Sequence, residues 1–217
     1  MLIEESKKYQ LVIFDWDGTL MDTITKIVVC MQDVAKQMGQ PVPSEQQVRD
    51  IIGLSLPTVM PILFPNVIDK QDELVECYRQ QYKSCTIDTP MFEGAVELIE
   101  QLYDEGYTLA VATGKARPGL DRMLVTTGLG KYFKATRSAS DAASKPDPQM
   151  LNSLLEELNV SASDAVMIGD SIIDMTMASN ASMDAIGVSY GAHSEAKLLS
   201  ANPVAVVNTP SDIKGLL

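Results

Sequence analysis

Apolar and polar positions change rhythm twice along the chain. Leu11–Phe14 is a short apolar run that stops abruptly at Asp15-Trp16-Asp17-Gly18-Thr19, the pattern of a buried strand delivering a polar loop at its carboxyl end. From 22 to about 84 the period becomes helical: Ile24, Ile27, Val28 and Met31 recur at helix spacing, then Val48, Ile51 and Ile52, then Leu74, Val75 and Tyr78. Five prolines, at 41, 43, 57, 61 and 65, punctuate this stretch, which predicts an all-helical insertion. Beyond Phe92 strand and helix alternate again. Helices are expected over 94–104, 118–127, 149–158 and from 173, with strands over 107–112, 133–136 and 165–168 and apolar runs at 185–188 and 204–207. This alternation predicts an α/β fold with a parallel sheet and helices on both faces. The first strand then belongs with residues far downstream, and the insertion sits beside the carboxyl edge of the sheet.

Three apolar runs end in small and polar residues: LVIF-DWDGT, LAVA-TGK and AVMI-GDSIID. Carboxyl ends of parallel strands share one edge, so Asp15, Asp17, Thr113, Asp170 and Asp174 should converge there. Four carboxylates in one crevice repel, and a divalent cation with hard oxygen preferences, Mg²⁺ above all, relieves that repulsion. Lys145, in SKPDP with prolines to stiffen its loop, supplies a further positive charge. Gly18 allows a turn close to a ligand, and Thr19 with neighbouring N–H groups can cradle an anion. These parts suit phosphoryl transfer, with Asp15 as nucleophile and Asp17 as general acid and then base, holding a proton near neutral pH.

With these motifs in order, the chain resembles the haloacid dehalogenase-like hydrolases: DWDGTLMDT, ATGK, Lys145 in SKPDP and GDSIIDM match the four family signatures. The resemblance implies a Rossmann-like catalytic core from 1–21 and 86–217 and a helical cap domain over 22–85. It makes Asp15 the nucleophile, Asp17 the acid/base, Thr113 and Lys145 the phosphoryl-binding residues, and Asp170 a Mg²⁺ ligand beside Asp15 and the Asp17 carbonyl. Asp174 would be an additional or water-mediated metal contact. FDWDGTLMD, MFEGAVELIEQL and MDAIGVSYG look like the phosphoglycolate phosphatase branch, and Arg49 with Ile52-Gly53-Leu54-Ser55 resembles the substrate-facing cap segment. Two departures stand out. Gly114 replaces a larger polar residue, leaving its backbone N–H for phosphate, and Ser182 stands where Gly is usual, with a small local adjustment expected.

The chain has 217 residues, 46% of them hydrophobic, and a net charge of −12. That charge argues against grips on nucleic acid or anionic membrane. The family resemblance implies a small phosphorylated metabolite as partner, with monomer and homodimer both open. Cys30, Cys77 and Cys85 lack CxxC spacing and read as buried thiols of a cytoplasmic protein. The N-terminus lacks an apolar leader pattern. His193, the single histidine, reads as a surface loop residue, and Met175, Met177 and Met183 as core. Alternatives to a phosphatase are a phosphomutase, a pyrophosphatase or a phosphate-binding protein on the same fold. Thr19 leans away from the mutases, which usually carry Val there. Asp17 disfavours dehalogenases and phosphonate hydrolases, and the complete set of site residues disfavours a binding protein.

Overall fold

The computed structural model describes residues 8–217. The first seven residues, on which the reading of the N-terminus rests, lie outside the described residues. Strand β1 (Leu11–Phe14) is buried throughout and stands in the middle of the sheet. A helical insertion follows: α1 (Ile24–Gln37), α2 (Glu45–Arg49), α3 (Leu56–Leu63) and α4 (Gln71–Ser84). After it come α5 (Ala95–Asp104), β2 (Thr108–Ala112), α6 (Arg117–Thr127), β3 (Ala135–Arg137), α7 (Gln149–Leu158), β4 (Ala165–Gly169), α8 (Ile172–Asn180), β5 (Asp184–Val188), α9 (Glu195–Leu199) and β6 (Ala205–Val207).

The six strands are parallel in the order β3-β2-β1-β4-β5-β6. Alternation along β1 explains why both faces are covered. Val12 and Phe14 pack with Leu98 and Leu102 of α5 and Leu120 of α6, whereas Leu11 and Ile13 pack with Leu151 of α7 and Met175 and Met177 of α8. Met183 joins the second cluster, so all three methionines are core, as their spacing implied. The chain runs from β1 outward to β3 and returns to the other side of β1 as β4. The order therefore reverses between β1 and β4, where open parallel sheets form a crevice at the carboxyl ends of the strands.

The insertion has its own apolar cluster, in which Val28, Met31 and Val34 of α1 meet Met60 of α3 and Leu74 and Tyr78 of α4. Ser44 starts α2 with a capping box, its hydroxyl accepting from the Gln47 N–H while Gln47 accepts from the Ser44 N–H. Among the described residues no helix is long and apolar enough to cross a membrane.

Three local expectations are corrected. Cys30 is buried, and burial pushes its thiol up to about 12, but Cys77 and Cys85 are only partly buried because the outward side of α4 and its end face solvent. His193 is buried, since its loop folds under α2 and onto the start of α8. The edge strand β3 starts two residues and ends one residue later than the apolar pattern suggested, set by its ladder to Ala110–Ala112.

Candidate active site

The polar loop after β1 opens with Asp15, whose N–H donates to the Ile168 carbonyl at 2.9 Å and so continues the β-ladder into the site. This fixes the carboxylate at the strand end, 1% exposed. Oxygens of Asp15, Asp170 and Asp174 lie within 4.8 Å of one another. Lys145, also 1% exposed, reaches into this group from the loop whose Lys145–Pro146 bond is cis. Its Nζ donates to Asp174 Oδ1 at 2.7 Å and lies 3.0 Å from Asp15 Oδ1.

The remaining contacts hold each carboxylate differently. Asp170 Oδ2 accepts from the Ala192 N–H at 2.6 Å and Oδ1 from the Thr19 hydroxyl at 3.3 Å. Asp174 stands at the third position of α8, where Oδ2 accepts from the Ser171 hydroxyl at 2.6 Å and the Ser171 N–H at 3.2 Å, completing a capping box. It is both helix cap and anchor for Lys145. Asp15 Oδ2, by contrast, is buried with no hydrogen-bond partner among the described residues. Gly18 keeps this packing possible: its φ is +80°, and a Cβ there would stand 2.1 Å from Asp170 Oδ2.

Electrostatics follow from burial. Burial, with the neighbouring charges of Asp174 and Asp17, pushes the Asp15 carboxyl up to about 7 despite the opposing pull of Lys145. Burial and the charges of Asp174 and Asp15 raise Asp170 well above the usual carboxylate range. For Lys145 burial works against the charge, but Asp15 and Asp174 outweigh it and keep the ammonium above its ordinary value. Three buried carboxyls thus face one buried ammonium, and ionising all three together takes more positive charge than Lys145 supplies. A buried carboxylate oxygen with no partner among the described residues, beside two further carboxylates, is a donor set that fits a hard divalent cation.

A cavity of about 610 Å³ opens above these groups, between the sheet edge and the insertion, and Asp15, Asp17, Thr113 and Gly114 line it. Thr113 is buried, its N–H bound to the Arg137 carbonyl at 2.9 Å and its hydroxyl accepting from the Lys115 N–H at 3.2 Å. Gly114 packs against the backbone of Gly53 and Leu54, and the Ser55 N–H donates to the Ser144 hydroxyl at 2.9 Å, so the insertion's loop is seated against the loops that carry Gly114 and Ser144.

Asp15, Asp17, Thr113, Gly114 and Lys145 are brought together with Asp170 and Asp174, but Arg49 stands apart. Its Nε pairs with Glu45 one turn earlier in α2, its Nη1 donates to the Gly191 carbonyl at 3.3 Å, and it is not on the cavity wall. It ties the insertion to the core instead of facing the cavity. Lys115, the last residue of ATGK, has no role that its motif position indicates, yet its Nζ lies 3.0 Å from Asp17 Oδ1. His193 accepts the Ile172 N–H on Nδ1 at 3.0 Å, and its Nε2 faces Asp50 of the insertion at 3.4 Å. Only the long-range packing of their loops reveals these two residues.

Known proteins carry the same pattern. Residues 12–188 match the family of haloacid dehalogenase-like hydrolases. "Probable phosphatase IndB" of Dickeya dadantii is 34% identical over 213 residues, 94% of this chain and 92% of its own. A "Phosphoglycolate phosphatase" of Vibrio parahaemolyticus is 29% identical over 215 residues, 94% of each chain. A solved haloacid dehalogenase-like family hydrolase from Streptococcus pneumoniae superposes with a TM-score of 0.83 at 23% identity, over 96% of this chain and 98% of that one. The chain belongs to the haloacid dehalogenase-like hydrolase family, and it is a hydrolase on the Rossmann-like fold of that family.

Proposed function

We propose that the chain is a Mg²⁺-dependent phosphatase that hydrolyses a small phosphomonoester through an aspartyl-phosphate, with the helical insertion as a cap over the site. The observation that carries this reading is Asp15: a buried carboxylate with one oxygen on Lys145 and the other without a partner among the described residues, at the floor of a cavity. Relatives named as phosphatases, one of them a phosphoglycolate phosphatase, support the substrate class. Three thiols outside any disulfide suit the reducing cytoplasm.

In this reading Asp15 attacks phosphorus and the leaving alcohol departs with a proton from Asp17, which then takes a proton from the water that opens the acyl phosphate. Thr113, the Gly114 N–H and Lys145 hold the phosphoryl oxygens, and Lys115 stands beside Asp17 at the leaving-group side. Asp15, the Asp17 carbonyl and Asp170 would hold Mg²⁺, with Asp174 joining through a remaining lone pair or a water. The cation would supply charge neutralisation for the carboxylates and the phosphoryl group.

The test is phosphate release from p-nitrophenyl phosphate and phosphoglycolate, with Mg²⁺ or EDTA, in wild type and Asp15→Asn. Turnover is expected to disappear in EDTA and to fall at least about a thousandfold in Asp15→Asn. Turnover retained within tenfold in Asp15→Asn would overturn the covalent mechanism.

A further inference from the structure

Resting on the phosphatase reading, we infer that the substrate is a phosphomonoester whose alcohol carries a ring-sized apolar body and, beyond it, a second negative group. The first observation is size. A cavity of about 610 Å³ lies within the roughly 300–1,000 Å³ range that encloses drug-sized ligands. A two-carbon phospho-acid would leave most of it to water.

Chemistry is the second observation. The cap side of the cavity presents Ile27 and Met31 of α1, Val59 of α3, and Tyr78 and Tyr82 of α4. The two tyrosine rings lie 5.8 Å apart at 34°, forming one continuous wall. None of these five side chains is charged, so a carboxylate held against Ile27, Met31 or Val59 would lose its water without gaining a partner from them. An apolar body, by contrast, gains from burial there.

The third is where the charges stand. The same cavity is lined by Arg79 and Lys83 of α4 and Arg122 of α6, all exposed. Arg79 lies 3.8 Å from Glu76, while Lys83 and Arg122 form no ion pair with a described residue. In a chain of net charge −12, three cations gathered without equal acids at one opening attract anions. Lys115, at 5.5 Å from the Tyr82 ring centroid and 3.0 Å from Asp17, marks the inner end of the same path. The order from floor to opening is therefore phosphoryl site, apolar wall, cationic rim, and the substrate that matches it has a phosphate, an apolar ring and a distal carboxylate or phosphate.

Three alkyl phosphates separate these features without a large change in the leaving oxygen: phosphoglycolate, benzyl phosphate and 4-carboxybenzyl phosphate. With Mg²⁺ present, kcat/KM is expected to rise in that order, with 4-carboxybenzyl phosphate at least about tenfold above phosphoglycolate. Joint replacement K83M/R122M is expected to narrow the ratio between the carboxylated and plain benzyl esters several-fold, through KM. Phosphoglycolate as the best of the three, with release lost in Asp15→Asn, would overturn the substrate class and leave the phosphatase reading standing. A carboxylated ester no better than the plain one would overturn the distal anion. No release from any of the three, or from p-nitrophenyl phosphate, would overturn the phosphatase reading and this inference with it.

Discussion

The carbonyl oxygen of Gly53 occupies the place where a side chain on Gly114 would begin: a Cβ on Gly114 would stand 2.2 Å from it and 2.8 Å from the Leu54 carbonyl oxygen. Both obstacles are backbone, so neither can turn aside. The departure at Gly114 thus has a physical reason in this chain, because the Gly53-Leu54 loop of the helical insertion lies directly on the loop that carries Gly114.

Gly114→Asn is expected to keep the cap from seating. A displacement of about 1 Å at a catalytic site costs up to roughly a hundredfold, and a fall in kcat/KM of about 10- to 100-fold is the expected outcome. The thermal midpoint should move little, since the buried residues of the apolar clusters of the core and of the insertion include none of Gly114, Gly53 and Leu54. Steady-state kinetics beside a melting curve decide it, and unchanged kcat/KM would show that the contact is not needed for turnover.

Metal-free stability should fall as pH rises. Asp15 titrates near 3.8 when unfolded and at about 7 when folded, so the folded state holds the extra proton between these values. Its contribution is fully present below 3.8 and lost as pH rises through about 7. Asp15→Asn in EDTA is therefore expected to stabilise the protein by about 1–3 kcal/mol at pH 8 and hardly at all near pH 4. Mg²⁺ should raise the wild-type midpoint more at pH 8 than at pH 5, because its ligands must be deprotonated. Denaturant titrations across this range would expose the opposite slope if the assignment were wrong.

Lys145→Met keeps the length of the side chain and removes its charge, leaving Asp15 and Asp174 buried without their cation. Breaking a buried pair in this way costs roughly 3–5 kcal/mol. Urea unfolding at pH 8 in EDTA is expected to show a loss of that size, smaller at pH 5. A loss under about 1 kcal/mol would mean that Lys145 serves substrate alone.

Ser182 adopts φ +54° in the turn between α8 and β5. This is more than the small adjustment the sequence implied, for a left-handed residue with a Cβ costs about 1–2 kcal/mol. Ser182→Gly relieves that strain but adds freedom to the unfolded chain, so a net gain of about 0.5–1 kcal/mol is expected. Calorimetry should find a midpoint raised by about 1–4 °C, and a lowered midpoint would contradict this.

Central strands were the most legible part of the fold. β1 and β4 are buried on both faces, so they read as unbroken apolar runs ended by acids, and the same ends carry Asp15 and Asp170. The edge strand β3, three residues long with two of them partly exposed, left a weaker trace and was displaced. Residues whose roles depend on one loop meeting another were not legible. His193 is buried by contacts with Ile172 and Asp50, each far away in the chain, and Lys115 finds Asp17 across two loops. Arg49 illustrates the converse: motif position suggested the cavity, but its partners Glu45 and the Gly191 carbonyl direct it elsewhere.

Trp16, the single tryptophan of the chain, lies between Asp15 and Asp17. Its indole is fully buried, edge-on to Phe133 at 6.3 Å, and its Nε1 has no hydrogen-bond partner among the described residues. The protein therefore carries an intrinsic fluorophore in the very loop that holds the two aspartates. Its emission is a label-free readout in which occupancy of that loop and global unfolding register on one chromophore.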